Sequence, residues 1–121
     1  MRVQDSFTIY KDRTKLFSLN IIRLVDDLPD GHVTRTLGNQ LLRSATSVGA
    51  DYRAACLARS VRERYSKMCI VVEEADETCF WLELLTSSKK IDPLQIDDLV
   101  QEANELAKIM SSFRLSVKKK L

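Results

Sequence analysis

Residues 43–53 read Arg43-Ser44-Ala45-Thr46-Ser47-Val48-Gly49-Ala50-Asp51-Tyr52-Arg53, a run of small side chains inside a segment of helical periodicity. Serine, threonine and glycine are poor residues for a helix interior, and a glycine costs about 1 kcal/mol relative to alanine. A helix tolerates that cost where another helix backbone has to approach closely. This small-residue run therefore indicates helix packing and offers no catalytic group.

The composition restricts the class of protein. The chain has 121 residues, of which 45% are apolar and 30% charged, with only three glycines and two prolines. These values are typical of a single soluble domain, residues 1–121, built from long helices. We expect a cytoplasmic protein, because no apolar run reaches the ~20 residues of a membrane span and no secretory signal opens the chain. Cys56, Cys69 and Cys79 lack metal-binding spacing and are expected to be reduced core thiols.

Apolar residues at three-to-four spacing predict four helices, at about residues 6–28, 34–59, 61–88 and 93–118. The Pro29-Asp30-Gly31 segment ends the first helix. Ser60 and Glu63 form a capping box before the third helix, and Asp92-Pro93 supplies a cap and a first-turn proline for the fourth. Long helices with short links predict an all-α fold, an up-down-up-down antiparallel four-helix bundle.

The short link at Ser60 predicts which residues of helices two and three face each other. If the chain folds back there, facing residues have numbers that sum to about 120. All of the resulting pairs are apolar: Leu41 with Cys79, Ala45 with Ala75, Val48 with Val72, Tyr52 with Met68, and Ala55 with Tyr65. This register gives the small-residue run a neighbour in the Met68 to Cys79 part of helix three.

Two glutamates interrupt an apolar line on helix three. The line consists of Ile70, Glu74, Glu77, Trp81 and Leu84. In the predicted register Glu77 faces Arg43 and Glu74 lies within one turn of it, so we expect a partly buried ion pair. Side chains able to complete the hydrogen bonds of Arg43 are Gln40, Ser47 and Thr78. Such a network would fix the helix register or form the polar part of a subunit interface.

Other chemistry at these residues has little support. A di-iron bundle needs glutamate and histidine three residues apart on two helices, whereas the one histidine, His32, lies in a link. Nothing suggests the sugar cleft that a glycosidase needs, and the serines and threonine of the small-residue run have no histidine base near them. We predict no catalytic residue, no bound metal and no cofactor.

The two ends of the predicted bundle differ in charge, although the net charge is only +2. One end, here the basic pole, combines the start of helix one, the end of helix two, the start of helix three and the end of helix four. Its thirteen cations are Arg2, Lys11, Arg13, Lys15, Arg53, Arg59, Arg62, Arg64, Lys67, Arg114, Lys118, Lys119 and Lys120. Its four acids are Asp5, Asp12, Asp51 and Glu63.

A concentrated basic end predicts salt-sensitive binding of phosphate backbones with little sequence preference. The candidate nucleic-acid contacts are Arg53, Arg59, Arg62, Arg64, Lys67, Lys118, Lys119 and Lys120. The alternative is a solvated basic end whose tail lysines stabilise the C-terminus of helix four.

Two segments resemble one known family. They are Gln40-Leu41-Leu42-Arg43-Ser44-Ala45-Thr46-Ser47-Val48-Gly49-Ala50-Asp51-Tyr52-Arg53 and Glu73-Glu74-Ala75-Asp76-Glu77-Thr78-Cys79-Phe80-Trp81-Leu82-Glu83-Leu84-Leu85. With their spacing, they resemble the four-helix-bundle family of 23S rRNA intervening-sequence proteins over nearly the whole chain. Asp51 and Ala54 differ from the family's asparagine and glutamate, and Arg64 from its frequent aromatic.

The resemblance implies a homo-oligomer, often a ring of five. It also implies a relation to the accessory proteins of diversity-generating retroelements, which bind nucleic acid and a reverse transcriptase. We therefore predict a non-enzymatic homo-oligomer, with a pentamer favoured, that binds RNA or DNA through its basic pole and does not bind membranes. The alternative is a scaffold or accessory subunit for a protein partner, with incidental basic charge.

Overall fold

The computed structural model describes the backbone of residues 3–121 and the side chains from Phe7 onward. Its helices are α1 (Val3–Asp26), α2 (His32–Cys56), α3 (Val61–Ser87) and α4 (Pro93–Lys118). Each helix packs against the next, and α4 also contacts α1. In the described range, diagonally opposite helices meet only through side chains, as where the Tyr52 and Phe113 rings stack at 6.1 Å. The fold is all-α and forms a four-helix bundle, as predicted. No helix in the described range is both long and apolar enough to cross a membrane.

Local capping chemistry starts the last two helices where the sequence places them. The Ser60 hydroxyl accepts from the Glu63 N–H at 3.0 Å, and the Glu63 carboxylate accepts from the Arg59 N–H at 3.0 Å. The Asp92 carboxylate accepts from the Leu94 N–H at 3.0 Å. These side chains satisfy backbone donors that have no partner inside a helix, which fixes both starts.

The ends of α2 lie earlier in the chain than the spacing of apolar residues suggests. The helix begins at His32, two residues before the predicted start, because Gly31 adopts φ 154° and the Thr34 hydroxyl donates to the Pro29 carbonyl at 2.7 Å. It ends at Cys56, three residues early. Residues 57–60 are needed for the link, where apolar spacing alone cannot indicate a turn.

The core consists of two clusters stacked along the bundle. The cluster far from the basic pole, here the distal half, is aliphatic with one phenylalanine, and it contains Phe17, Ile21, Leu24, Leu41, Ala45, Leu82, Leu85, Ile91, Ile96, Ala103 and Leu106. The cluster near the basic pole, here the pole half, contains Val48, Tyr52, Ala55, Met68, Val71, Ala75 and Met110. Tyr10 and Phe113 pack against the pole half with their rings edge-to-face at 5.3 Å.

The face of α3 that is buried in the core differs from the face that the register of helices two and three predicts. Its fully buried residues are Met68, Val71, Ala75, Thr78, Leu82 and Leu85. Tyr65, Val72 and Cys79, predicted to face α2 in the core, are only partly buried. The reason is geometric, since the register identifies what faces α2, whereas the core side of α3 must also face α4.

The small-residue run contacts two helices, and the prediction of α3 as its neighbour is wrong for Gly49. The Ser44 hydroxyl lies 2.9 Å from that of Thr78 on α3, close to the predicted register. A Cβ atom on Gly49 would instead meet α1, at 3.5 Å from Ser18 Oγ and 3.6 Å from the Thr14 carbonyl. These are ordinary contact distances, so the packing has room for an alanine at this position.

Candidate nucleic-acid interface at the basic pole

Most of the predicted phosphate contacts lie on the surface of the basic pole. Arg53 is exposed in the last turn of α2, and Arg62 is exposed in the first turn of α3. The three lysines at the end of α4 are also exposed: Lys118, Lys119 and Lys120. Among the described residues, none of these five side chains forms an ion pair. Their charges are therefore available to an anionic partner.

Arg59 and Lys67 also lie at this surface, but Arg59 is close to a carboxylate and Lys67 is not fully exposed. Arg59 is 90% exposed, and its Nε lies 3.8 Å from the Glu63 carboxylate. The backbone N–H of Arg59 donates to the same carboxylate and, together with the Arg59 and Lys67 charges, lowers the pKa of Glu63. Lys67 is half-buried. Glu63 thus remains ionised at neutral pH and offsets part of the local positive charge.

Arg64, a predicted phosphate contact, is turned toward the protein and is half-buried. Its Nε donates to the Ala55 carbonyl at 3.1 Å and its Nη2 to the Cys56 carbonyl at 3.5 Å, and its guanidinium carbon lies 5.7 Å from the Phe7 ring centroid. The last carbonyls of α2 lack helical donors, and a cation is favoured there. Arg64 instead fixes the joint between α2 and α3.

Arg13 also contributes less free charge to the pole than the sequence count suggests. Its Nε and Nη2 donate to the two carboxylate oxygens of Glu102 at 2.9 and 2.7 Å, and Nη2 lies 2.9 Å from Glu105. These hydrogen bonds raise the pKa of Arg13. Arg13 therefore ties α1 to α4. Arg2 and the Asp5 side chain, also in that count, lie outside the described residues.

The Arg43 network joins α2 to α3 on the outside of the bundle. Nη1 of Arg43 lies 3.2 Å from Glu74, Nη2 contacts Glu77, and Nε donates to the Gln40 amide oxygen at 3.1 Å. Trp81 Nε1 donates to the same Glu77 oxygen at 3.2 Å. The carboxylates are partly buried, with 20% and 35% of the side chain exposed, but Arg43 is 46% exposed.

Two side chains predicted for this network do not reach Arg43's guanidinium. The Ser47 hydroxyl donates to the Arg43 backbone carbonyl at 2.8 Å, and the Thr78 hydroxyl lies 2.8 Å from the Glu74 carbonyl. Short hydroxyl side chains in a helix bond readily to the carbonyl one turn back, which draws them away from a neighbouring helix. The guanidinium of Arg43 is therefore bonded only by Gln40, Glu74 and Glu77 among the described residues, with the rest of its side chain exposed.

A basic groove between α1 and α2 was missed in the sequence. Its volume is about 450 Å³, and it is lined by Lys11, Thr14, Lys15, Ser18, Thr46, Gly49, Ala50 and Arg53. Three of these residues are cations and none is an acid. A signal for it exists in the sequence, since folding the chain back at the Pro29-Asp30-Gly31 link makes facing residues sum to about 60. That register places residue 11 within one turn of residue 53, and residue 18 within one turn of residue 46.

The interior of the pole half contains one buried polar atom without a hydrogen-bond partner among the described residues, the Tyr52 hydroxyl. Burial raises the pKa of Tyr52, with further contributions from Cys56 and Tyr10. The three cysteines are free thiols, as predicted, and they are half-buried. Cys79 packs against the distal cluster and Cys56 against the cluster of the pole half. No cluster of histidine, cysteine or carboxylate ligands for a metal ion occurs in the part of the chain described.

Comparison with known proteins connects these features to a family. The model of the 23S rRNA-intervening sequence protein family matches residues 7–112, which include all of α2 and α3 and most of α1 and α4. The chain belongs to the 23S rRNA-intervening sequence protein family. No curated protein matches the chain.

A solved structure supports both the family and the fold of this 23S rRNA-intervening sequence protein. It is the crystal structure of a protein of unknown function from the S23 ribosomal protein family of Bacteroides thetaiotaomicron. The two share 31% sequence identity with a TM-score of 0.81, over 89% of this chain and 96% of that chain.

The segments that carry the family resemblance meet in the structure. Residues 40–53 lie on α2 and residues 73–85 on α3. They are joined on the outside by the Arg43 contacts with Glu74 and Glu77, and inside by the Ser44 and Thr78 hydroxyls. In this 23S rRNA-intervening sequence protein the two segments form the α2–α3 interface.

Proposed function

We propose that this protein is a non-enzymatic bundle that self-associates and binds the phosphate backbone of RNA or DNA through its basic pole. The observation that carries the proposal is the set of exposed cations without ion-pair partners among the described residues, at the ends of α2, α3 and α4. They include Arg53, Arg62 and residues 118–120. Unpaired surface cations bind phosphates by releasing counterions, with little dependence on sequence.

Salt dependence tests the binding. Labelled single-stranded and double-stranded RNA and DNA are titrated with the protein at about 50 and 200 mM salt. We expect affinity to fall by a hundredfold or more between the two conditions, because each phosphate contact adds to the slope of binding against salt. Absent binding at the lower salt, or an affinity that does not change, would remove nucleic acid from the proposed function.

Self-association is proposed through the outer side of α1. Four large apolar side chains there are 40–56% exposed: Ile9, Leu16, Leu19 and Ile22. A second copy of the chain is the proposed partner of this stripe, and the family resemblance favours a ring of five. Light scattering on the purified protein tests it. Leu16→Glu should shift the protein toward monomer, while Leu94→Glu, at an 88% exposed leucine on α4, should not. A wild-type monomer at tens of micromolar would contradict the assembly.

The alternative function is a scaffold or accessory subunit for a protein partner. The observation favouring it is Phe80, which is 48% exposed and packs edge-to-face on Trp81 at 5.1 Å. Exposed aromatic side chains are common at the centres of protein interfaces. The scaffold function becomes better supported than nucleic-acid binding if no nucleic acid binds at low salt. Either function is consistent with a cytoplasmic protein, where the three free thiols would stay reduced.

A further inference from the structure

We propose that the groove between α1 and α2 is a phosphate site, which holds a phosphodiester of a nucleic-acid strand bound at the basic pole. This inference rests on the proposed nucleic-acid binding and names a specific place for it. The groove lies on the side of the bundle, next to the exposed cations of the pole, and is shared by α1 and α2.

The small-residue run creates the space. Thr46, Gly49 and Ala50 form the α2 wall of the groove, and Thr14 and Ser18 form the α1 wall. A long side chain at residue 49 or 50 would project into this volume of about 450 Å³, which falls within the ~300–1,000 Å³ typical of ligand clefts. The packing distances at Gly49 would accept an alanine, so tight helix contact alone does not explain the glycine.

The hydroxyl groups in the walls of the groove already donate hydrogen bonds, so they need no acceptor from a bound ligand. The Thr14 hydroxyl donates to the Tyr10 carbonyl at 2.7 Å, the Ser18 hydroxyl to the Thr14 carbonyl at 3.0 Å, and the Thr46 hydroxyl to the Leu42 carbonyl at 2.8 Å. These groups are satisfied within their own helices. The cations of the rim therefore supply the attraction for a ligand.

The rim carries three positive charges and no negative one. Lys11 and Lys15 lie one turn apart on α1, and Arg53 faces them from α2. None of the three forms an ion pair with a described residue. Cations gathered at a groove with low-dielectric walls focus the field on an anion inside it. Contacts from two helices would fix the path of a strand along the groove.

A second groove in the distal half serves as an internal comparison. It has a similar volume of about 410 Å³, between α1 and α4, but its lining includes Asp27 and Asp98 against a single cation, Arg23. The two grooves differ by the sign of their charge rather than by size. A phosphate is attracted to the first and repelled from the second.

Binding of a labelled 12-nucleotide RNA and its DNA counterpart at about 50 mM salt tests the site with two variants of the groove. Ala50→Leu fills the groove without changing charge, at an exposed helical position, and Lys15→Glu reverses one rim charge. Each has a matched control, Thr36→Leu on the exposed distal part of α2 and Arg23→Glu on α1. We expect both groove variants to weaken binding about five- to tenfold, and both controls to stay within about twofold of wild type.

A second measurement distinguishes a strand from a free anion. Inorganic phosphate is added at constant ionic strength, and the amide resonances of Gly49 and Ala50 are followed. We expect shifts in the wild type that are absent in Ala50→Leu. If wild type binds the oligonucleotides and Ala50→Leu binds equally well, the groove assignment is wrong while the proposed function stands. If phosphate shifts these amides but no oligonucleotide binds, both the proposed function and the assignment to nucleic acid are overturned.

Discussion

The distal half and the pole half of the bundle are built differently. In the distal half, α1 buries Phe17, Ile21 and Leu24 among aliphatic side chains of the other helices. In the pole half, the described part of α1 has no fully buried apolar side chain, and its buried residue is Thr14. That half also contains the unpartnered Tyr52 hydroxyl and the basic groove. The comparison indicates that the two halves have different roles. The distal half contributes more of the buried apolar core of α1, and the proposed binding lies in the half where α1 buries less.

The largest expected effect comes from shortening a core side chain on either side of the boundary between the distal half and the pole half. Leu106 and Met110 lie one turn apart on α4, both nearly or fully buried, the first in the distal half and the second in the pole half. Leu106→Ala and Met110→Ala should each lower the free energy of unfolding by about 2–5 kcal/mol. We expect the Leu106 change to cost more, because Phe113 and Tyr10 are partly exposed and can shift into the Met110 space. Urea denaturation measures both, and an equal or larger cost at Met110 would remove the distinction.

The next effect concerns how α1 is held in the pole half. Arg13 binds Glu102 and Glu105 with 27% of its side chain exposed, whereas Arg43 is 46% exposed in its own network. Arg13→Ala should lower the free energy of unfolding by about 1–3 kcal/mol, between the costs of exposed and buried pairs, and Arg43→Ala by ~0–1 kcal/mol. Thermal or urea unfolding of the two variants checks the order, and a more harmful Arg43→Ala would contradict it.

Tyr52 offers a stabilising change within the pole half. Tyr52→Phe removes a buried hydroxyl without a partner among the described residues and should raise the free energy of unfolding by about 1 kcal/mol. Burial raises the pKa of Tyr52, so its protonated form is favoured in the folded state. The wild type should therefore lose stability as pH rises above ~10, the pKa of an unfolded tyrosine, and the variant should lose less. Identical alkaline profiles for both proteins would show that the hydroxyl is solvated.

The smallest effect compares two glycines that face α1. A Cβ on Gly49 would lie no closer than 3.5 Å to α1, whereas one on Gly38 in the distal half would lie 3.1 Å from Leu28. Gly49→Ala should raise the free energy of unfolding by ~0.5–1 kcal/mol through helix propensity, while Gly38→Ala should give little gain because Leu28 must move. Calorimetry on the pair checks this. If Gly49→Ala instead lowers the free energy of unfolding, the prediction is wrong and close helix packing is the reason for a glycine at this position.

Features that depend on one helical turn, or on two helices joined by a short link, could be predicted from the sequence. The starts of α3 and α4 follow from Ser60 and Asp92, because a cap acts within one turn. The contact between Arg43 and Glu77 follows from a short link that fixes the register of two neighbouring helices. The family likewise follows from two segments that form one interface.

Three kinds of feature could not be predicted from the sequence: those set by three helices together, those that involve backbone carbonyls, and contacts between helices that no short link joins. The core face of α3 is set by α2 and α4 together, which displaced Val72 and Cys79 from the buried set. Arg64 was counted as a free charge because a charge count does not include the carbonyls at the end of α2. The neutralisation of Arg13 required knowing which residues of α4 lie beside α1.

Binding by paired charge reversals tests the central claim most directly. Arg62→Glu with Lys118→Glu changes the basic pole, and Arg35→Glu with Lys90→Glu makes the same change of charge in the distal half. Both pairs are exposed and, among the described residues, without ion-pair partners. RNA titrations at several salt concentrations should show at least a tenfold loss for the pole variant and a salt slope reduced by about 1–2, with the distal variant close to wild type. Equal losses in the two variants, or none in either, would contradict binding at the basic pole.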